Sequence, residues 1–412
     1  MGLKMSEKKA LTKEISTRYR QAERKEKTAI LDEFIKTSGY NRQYASRMLK
    51  HYGLNKQTLI NGKMVIVEAA KKKKPGTSNH QGKLVYGPDF VNVLRDIWQF
   101  FWYKCGKYLA PFMREIMPYL EASREPDFHL TPEIKQKLLN ISPATIDRKL
   151  KSERAKLQIR GISGTRCGEA ALIKQIPIRT HYSPAESTTP GYFQTDTVHH
   201  CGDTDSGEFN LTLTVTDVAS GWSEFRALRN KAHKWTLEGL QNVHSTLPFA
   251  MIELHSDNGS EFINYDTLNW WKITKTLDLS RSRSRHKNDN CYAEQKNNAF
   301  VRNYIGYYRL DTEKELAALG RVYAALCPLL NCFIPNKKLI SKTTVGSKTV
   351  KNYDRPKTPY QRLLEAAHLT DEEKDRLIAF KELYNPVVLQ QAVHRAVNSM
   401  LTAHQAKLRG MA

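Results

Sequence analysis

Three acidic residues constrain any fold this chain can adopt. Asp196 lies mid-way along Gly191–Val198, where aromatic and β-branched residues alternate as in a strand. Asp257 closes the apolar run Met251–Asp257 and is followed at once by the turn dipeptide Asn258-Gly259. Glu294 falls in Asn290–Asn297, which opens a helical stretch running to about Tyr308. Three carboxylates placed together repel one another and take up protons unless a cation neutralises them. Gathered by a fold, they form a site for a hard divalent ion such as Mg²⁺, which takes oxygen ligands.

The words around the acids are more specific than the acids alone. Thr195-Asp196-Thr197, then His255-Ser-Asp-Asn-Gly-Ser-Glu-Phe262, then Lys287-Asn-Asp-Asn-Cys-Tyr-Ala-Glu-Gln-Lys-Asn297 follow in order, with 36 residues between the second and third acid. Over roughly Pro190 to Pro335 the chain resembles the integrase-type DDE transposases of bacterial insertion sequences, relatives in fold of retroviral integrases. The resemblance implies an α/β ribonuclease-H-like core, a mixed five-stranded sheet with helices. It also implies all-α helix-turn-helix flanks, a C-terminal α-helical region, and Asp196, Asp257 and Glu294 as both catalytic residues and metal ligands. Two Mg²⁺ or Mn²⁺ ions would serve one active site, with no small-molecule cofactor. The implied partner is double-stranded DNA, as element ends and as target, bound by a homodimer or higher homo-oligomer. The implied place is the bacterial cytoplasm, at the nucleoid.

Composition agrees with a polyanionic partner. Lys and Arg number 65 against 42 Asp and Glu, a net charge of +23, which favours nucleic acid over an indifferent surface. No apolar run is long enough to span a membrane and no signal peptide is visible, so no membrane association is expected. The six cysteines, Cys105, Cys167, Cys201, Cys291, Cys327 and Cys332, form no CxxC pair and no zinc frame. They read as reduced thiols. His199-His200-Cys201 reads as a strand end entering a turn, since no fourth ligand is in view. The zinc module of retroviral integrases is missing, so an apolar core must hold the N-terminal domain.

The chain divides into six expected segments. Residues 1–70 are a helix-turn-helix domain: Ala29–Ile35 and Arg42–His51 carry apolar helical faces and Gly39 breaks between them. Arg42, Gln43, Arg47 and Lys50 of the second helix would face DNA; the alternative is a helical hairpin with a solvated basic face. Residues 71–88 are a basic linker. Residues 89–156 are a second helical DNA-binding domain, with the aromatics of Ile97–Tyr103 as core and helices beginning at Thr131-Pro132 and Ser142-Pro143. Arg148 and Lys149 are its DNA candidates. Residues 157–187 are a basic connector, residues 188–335 the catalytic domain, and residues 336–412 a basic connector with C-terminal helices.

Phosphoryl transfer needs a nucleophilic oxygen, an in-line leaving oxygen and neutralised charge between them, which two cations about 3.5–4 Å apart supply. Asp196, central in the sheet, is the natural bridging ligand. Glu261 is expected to support the site from behind. Arg283, Arg285 and Lys287 form a basic loop suited to a phosphate, and Asn297 and Arg302 share the helix face of Glu294. Asp217 is expected to serve a turn and Asp289 to cap the last helix. The resemblance thus implies 3′-end cleavage followed by strand transfer. A DNA-binding regulator without turnover, and a nuclease that cuts without joining, are the alternatives. If the basic faces are DNA contacts, binding weakens with salt at a log–log slope of about −0.9 per phosphate neutralised. A titration of duplex binding against salt checks this, and a flat response contradicts it.

Overall fold

The computed structural model describes residues 3, 5–53, 55–60, 63–68, 86–123, 126–154, 175–283, 286–345 and 348–410. It separates into two compact units, Met1–Leu84 and Val85–Ala412.

The first unit holds α1 (Met5–Gln21), α2 (Arg24–Ser38) and α3 (Arg42–His51). Ile30, Leu31 and Phe34 of α2 meet Ala45 and Leu49 of α3 and Tyr19 of α1 in a small apolar core. Gly39 ends α2 in the left-handed region (φ 67°), its N–H donating to Ile35 O, and the Asn41 side chain caps α3 by accepting from Tyr44 N. This is the expected pair of helices and break. The antiparallel hairpin β1 (Asn55–Ile60) and β2 (Lys63–Glu68) was not anticipated. Asn61-Gly62, which separates its strands in sequence, was the signal for it.

The second unit is built on a five-stranded sheet of β3 (Tyr192–His199), β4 (Leu211–Asp217), β5 (Ser223–Leu228), β6 (Glu253–Ser256) and β7 (Asp278–Arg281). Its order is β5-β4-β3-β6-β7. β3, β4 and β5 are antiparallel neighbours, whereas β6 and β7 run parallel to β3. Two short crossover helices make the parallel pairings possible: α9 (His233–Thr246) before β6 and α10 (Tyr265–Thr274) before β7. This is the mixed sheet expected of a ribonuclease-H-like core, with β3 at its centre.

Helices cover both faces. Before the sheet come α4 (Pro88–Phe100), α5 (Gly106–Ala122), α6 (Pro132–Asn140), α7 (Pro143–Lys149) and α8 (Lys151–Arg154). After it come α11 (Cys291–Lys296), a π-helical segment (Asn297–Arg302), α12 (Asn303–Ile305), α13 (Glu313–Cys332), the hairpin β8 (Leu339–Val345) and β9 (Lys348–Tyr353), α14 (Pro359–Glu365), α15 (Asp371–Glu382) and α16 (Pro386–Leu408). Thr131 and Ser142 cap α6 and α7 as their sequences suggest.

Residues 89–156 and 336–412 both fall in the second compact unit, where their apolar faces complete a shared core. Leu94, Ile97 and Trp98 of α4 and Met113 and Ile116 of α5 join Val322 and Leu326 of α13 and Val393, Val397 and Met400 of α16 in one cluster. On the other face, Leu211, Leu213 and Val215 of β4 pack with Leu240 and Val243 of α9, Leu363 of α14 and Leu377 of α15. Most of the linker 71–88 and of the connector 157–187 lies outside the described residues. Within the connector, Arg179 is committed to Glu253 (2.6 Å) and Glu186 (3.0 Å).

One polar network pins the last helix. Glu315 is fully buried and completes a capping box with Thr312 at the start of α13. Its carboxylate also accepts from Asp311 N and lies 2.8 Å from Lys407 Nζ on α16. Burial pushes the Glu315 carboxyl up, but the bonds from Lys407, Asp311 N–H and Thr312 outweigh it and hold the pKa at about 2. A carboxyl held below its unfolded value contributes stability above about pH 4.5 that is lost as pH falls toward 2. Glu315→Ala leaves Lys407 to Asp311 (2.9 Å) and removes the acceptor of the Asp311 and Thr312 N–H groups, and is expected to cost about 1–3 kcal/mol. Urea unfolding at neutral pH reads this, and the gap between wild type and variant should narrow below pH 4.

Candidate active site

Asp196 stands at the centre of β3, paired across the ladder with Thr214. Its Oδ1 accepts from Thr197 N (2.9 Å) and its Oδ2 from Asn297 Nδ2 (2.6 Å). Asp257 follows the end of β6, and its Oδ1 accepts from Gly259 N at 2.9 Å. Glu261, two residues beyond Gly259 and buried, accepts from Thr197 Oγ1 at 3.1 Å. A Cβ on Gly259 would sit 2.6 Å from Glu261 Oε2 and 2.9 Å from Asp257 Oδ1. Glycine is therefore required for these two carboxylates to fold over the same turn.

Glu294 occupies an exposed position on α11. That helix is fastened to β3 from below: Gln194 Nε2 donates to Asp289 O, Tyr292 N donates to Gln194 Oε1, and Asn290 Nδ2 donates to Thr195 O. Its continuation through the π-helical segment into α12 is braced by the corner between α4 and α5. Trp102 stacks on Tyr304 (4.5 Å between centroids, 9° between planes), its Nε1 donates to Asn303 O, and Lys104 Nζ lies 3.1 Å from Tyr304 Oη. Trp102 and Tyr103 both adopt positive φ (59° and 61°), a strained conformation for aromatic residues that only firm packing sustains.

The electrostatics report one shared field. Burial raises the Asp196 pKa to about 8, with further upward contributions from Asp257, Glu294 and Glu261 against a lowering bond from Thr197 N–H. Burial also raises Asp257, with Gly259 N–H opposing, and raises Glu261, where Asp257 adds to the effect. Such a cluster favours either protons or a cation. Its donors are carboxylate oxygens, which fit a hard divalent ion; Asp196, Asp257 and Glu294 would hold it, with Glu261 alongside. Among the described residues, however, no group of three or more His, Cys, Asp or Glu is drawn together closely enough to form a ligand set. The acids share a field without closing into a cage.

Several expected contacts lie elsewhere. Asn297, anticipated at DNA, has its amide engaged inside the protein: beyond its bond to Asp196 it accepts from Thr214 Oγ1 at 2.5 Å. The π-helical turn that begins at Asn297 gives the helix a wider local register, a feature common at functional sites. Arg302 donates to His199 O (3.0 Å) and packs on the Tyr307 ring. Asp289 does not cap the helix. It grips Arg283 through the backbone N–H, Nε and Nη2, and those bonds from Arg283 hold its pKa at about 2. The Arg283 side chain keeps 43% exposure. Lys296 is buried and donates to Gly221 O (2.9 Å). Arg285 and the Lys287 side chain lie outside the described residues. Asp217 serves its turn, accepting from Gly191 N and Ser220 N.

In the helical flanks, Gln43, Lys50 and Arg148 are exposed. Arg42, also exposed, pairs with Asp32. Arg47 is half-buried over the Tyr44 ring, and Lys149 donates to Tyr86 O. The role of Asn297 on Asp196 was missed; its i+3 spacing from Glu294 was the available signal.

The fold and site together describe a mixed-sheet α/β protein with partly buried carboxylates at and beside its central strand. No protein-family model matches the chain. It is 33% identical over 361 residues to the uncharacterized protein y4rM of Sinorhizobium fredii, covering 87% of this chain and 96% of that protein, and it belongs to the same family. Among solved structures, the catalytic core domain of BIV integrase is similar over 43% of this chain and 96% of its own, at 17% identity and a TM-score of 0.27. A score that low carries no argument about activity. No helix among the described residues is long and apolar enough to cross a membrane.

Removing one carboxylate from a repelling cluster relieves strain in the cation-free protein. Asp196→Asn keeps an acceptor for Thr197 N–H and turns its amide N–H toward Asn297, whose own amide can flip to accept it while Thr214 Oγ1 becomes the acceptor; the variant is expected to raise Tm by about 2 °C in chelator. Added Mg²⁺ should stabilise wild type more than the variant. Thermal unfolding with and without Mg²⁺ measures both, and a lower Tm for the variant in chelator contradicts the repulsion account.

Proposed function

We propose that this protein is a DNA transposase that cleaves the 3′ ends of a mobile element and joins them to target DNA. The observation that supports this best is the place of Asp196 on the central strand of a mixed sheet, where burial first and then the charges of Asp257, Glu294 and Glu261 push its carboxyl up. Negative charge gathered around the central strand suits a reaction that needs cations rather than a protein nucleophile. When bound, a divalent pair would neutralise the scissile phosphate and lower the pKa of the attacking hydroxyl. The chain's own groups do the rest. Asp196 is held by bonds from Asn297 Nδ2 and Thr197 N–H. Gly259 N–H fixes one oxygen of Asp257. Glu294 rides on a helix clamped at both ends, so its carboxylate can be aimed without freezing its exposed side chain. No Ser or Tyr nucleophile is required, because water and then a DNA 3′-hydroxyl attack the phosphorus directly.

A second reading, a DNA-binding regulator with an integrase-like core and no turnover, draws support from the open arrangement of the acids. A nuclease that cuts without joining is separated from the main reading by its products. The decisive experiment incubates the protein, Mg²⁺ and duplex DNA taken from the sequences on either side of the coding region. Cleaved 3′ ends and strand-transfer products are expected from wild type. Asp196→Asn, Asp257→Asn and Glu294→Gln should each abolish both while leaving DNA binding within about twofold, since each removes a charge from the cluster and none from a basic face. Undiminished cutting by all three variants would sink the assignment, and binding without any cutting by wild type would favour the regulator.

A further inference from the structure

After α13 the chain leaves the body as a two-stranded antiparallel ribbon, β8 and β9, which pairs with no third strand among the described residues. The described side chains of both strands are exposed, Ile340 to 69% and Val350 to 52%. An isolated hairpin of this kind is marginal in water, so what maintains it must lie at its root or on its surface.

The root is firm. Lys338 N donates to Asp354 Oδ1 (2.7 Å), Arg362 pairs with Asp354 (2.5 Å) and donates to Asn336 O (3.1 Å), and Asn336 bridges to Lys357. Lys338 Nζ donates to Ala219 O (2.9 Å) in the turn after β4. That turn also receives Lys296 Nζ of α11 at Gly221 O. The ribbon is thereby tied through one short turn to the helix that carries Glu294.

Its surface has one sign of charge. From Asn336 to Tyr353 the sequence contains Lys337, Lys338, Lys342, Lys348 and Lys351 and no acidic residue. Lys342 pairs directly across the ladder with Lys351, which sets their Cβ atoms about 4.5–5.5 Å apart on one face. Neither has an ion-pair partner among the described residues. Like charges directly opposite destabilise a ribbon, and a polyanion laid across that face reverses the sign of the effect. A two-stranded ribbon is also of a width that the major groove of B-DNA admits.

We propose that this ribbon is a DNA-binding arm, with Lys342 and Lys351 neutralising backbone phosphates of a duplex close to the acid cluster. The inference rests on the reading of the protein as DNA-binding and adds a contact surface to it. The test uses the full chain and a random-sequence duplex, with binding followed by fluorescence anisotropy across a salt series. Lys342→Ala/Lys351→Ala should reduce the log–log salt slope by about 1.8, the loss of two phosphate contacts. Lys342→Glu should place an opposite charge against Lys351, leave thermal stability equal or higher, and weaken duplex binding at low salt. An arm with a merely structural role would show no such loss in the Glu variant. If wild type binds duplex and both variants bind with an unchanged slope, the arm proposal is overturned while DNA binding stands. If wild type fails to bind duplex at all, the functional reading falls with it. A change in subunit number by light scattering, with the slope unchanged, would overturn the proposal by making the ribbon a contact between copies of the chain.

Discussion

Repulsion among carboxylates held away from bulk water is the constraint around which the second unit is organised. A strand centre cannot carry Asp196 beside Asp257 and Glu261 unless something offsets their charge or fixes their orientation. The protein fixes orientation with neutral donors: Thr197 N–H and Asn297 on Asp196, Gly259 N–H on Asp257, and Thr197 Oγ1 on Glu261. None of these donors adds a full positive charge to the cluster, so its negative charge is left for a cation to meet. The nearby guanidinium of Arg283 is instead held by its own acid, Asp289.

Keeping α11 in place is the second demand, and it explains why the helical flank is fused to the core. Gln194 and Asn290 lash the start of α11 to β3, while the strained Trp102–Tyr103 corner stacks against its end through Tyr304. The corner belongs to α4 and α5, whose apolar faces are shared with α13 and α16. A helix that presents an acid at a surface gains rigidity from such bracing at both ends. The π-helical turn between the braces then brings Asn297 under Asp196, where it contacts a carboxylate instead of solvent.

Much of this was legible beforehand because it depends on local chemistry. Alternation marked β3 and β4, Gly39 marked the break between α2 and α3, and Thr-Pro and Ser-Pro pairs marked the starts of α6 and α7. Of the Ile97–Tyr103 aromatics expected in the core, Trp98 and Phe101 are fully buried, whereas Tyr103 is 41% exposed. Long-range partners were not legible. Arg302 and Asn297 share the helix face of Glu294 as periodicity requires, yet their partners, His199 O and Asp196, come from a strand about a hundred positions earlier. Asp289 looked like a cap because caps are local, but its carboxylate found a guanidinium across the loop, a stronger charge-assisted partner.

The sequence by itself determined the elements and the ordered set of acids, because strand alternation, turn dipeptides and helix caps act over a few residues. Tertiary structure alone decided which basic residues are spent inside the protein and which face outward, and whether the flanking helices stand apart or share a core. It also decided that the basic stretch after α13 is a ribbon with two lysines face to face. Each of those outcomes depends on which surfaces meet after the chain has folded back on itself, and burial and charge pairing between distant segments leave little trace in local pattern.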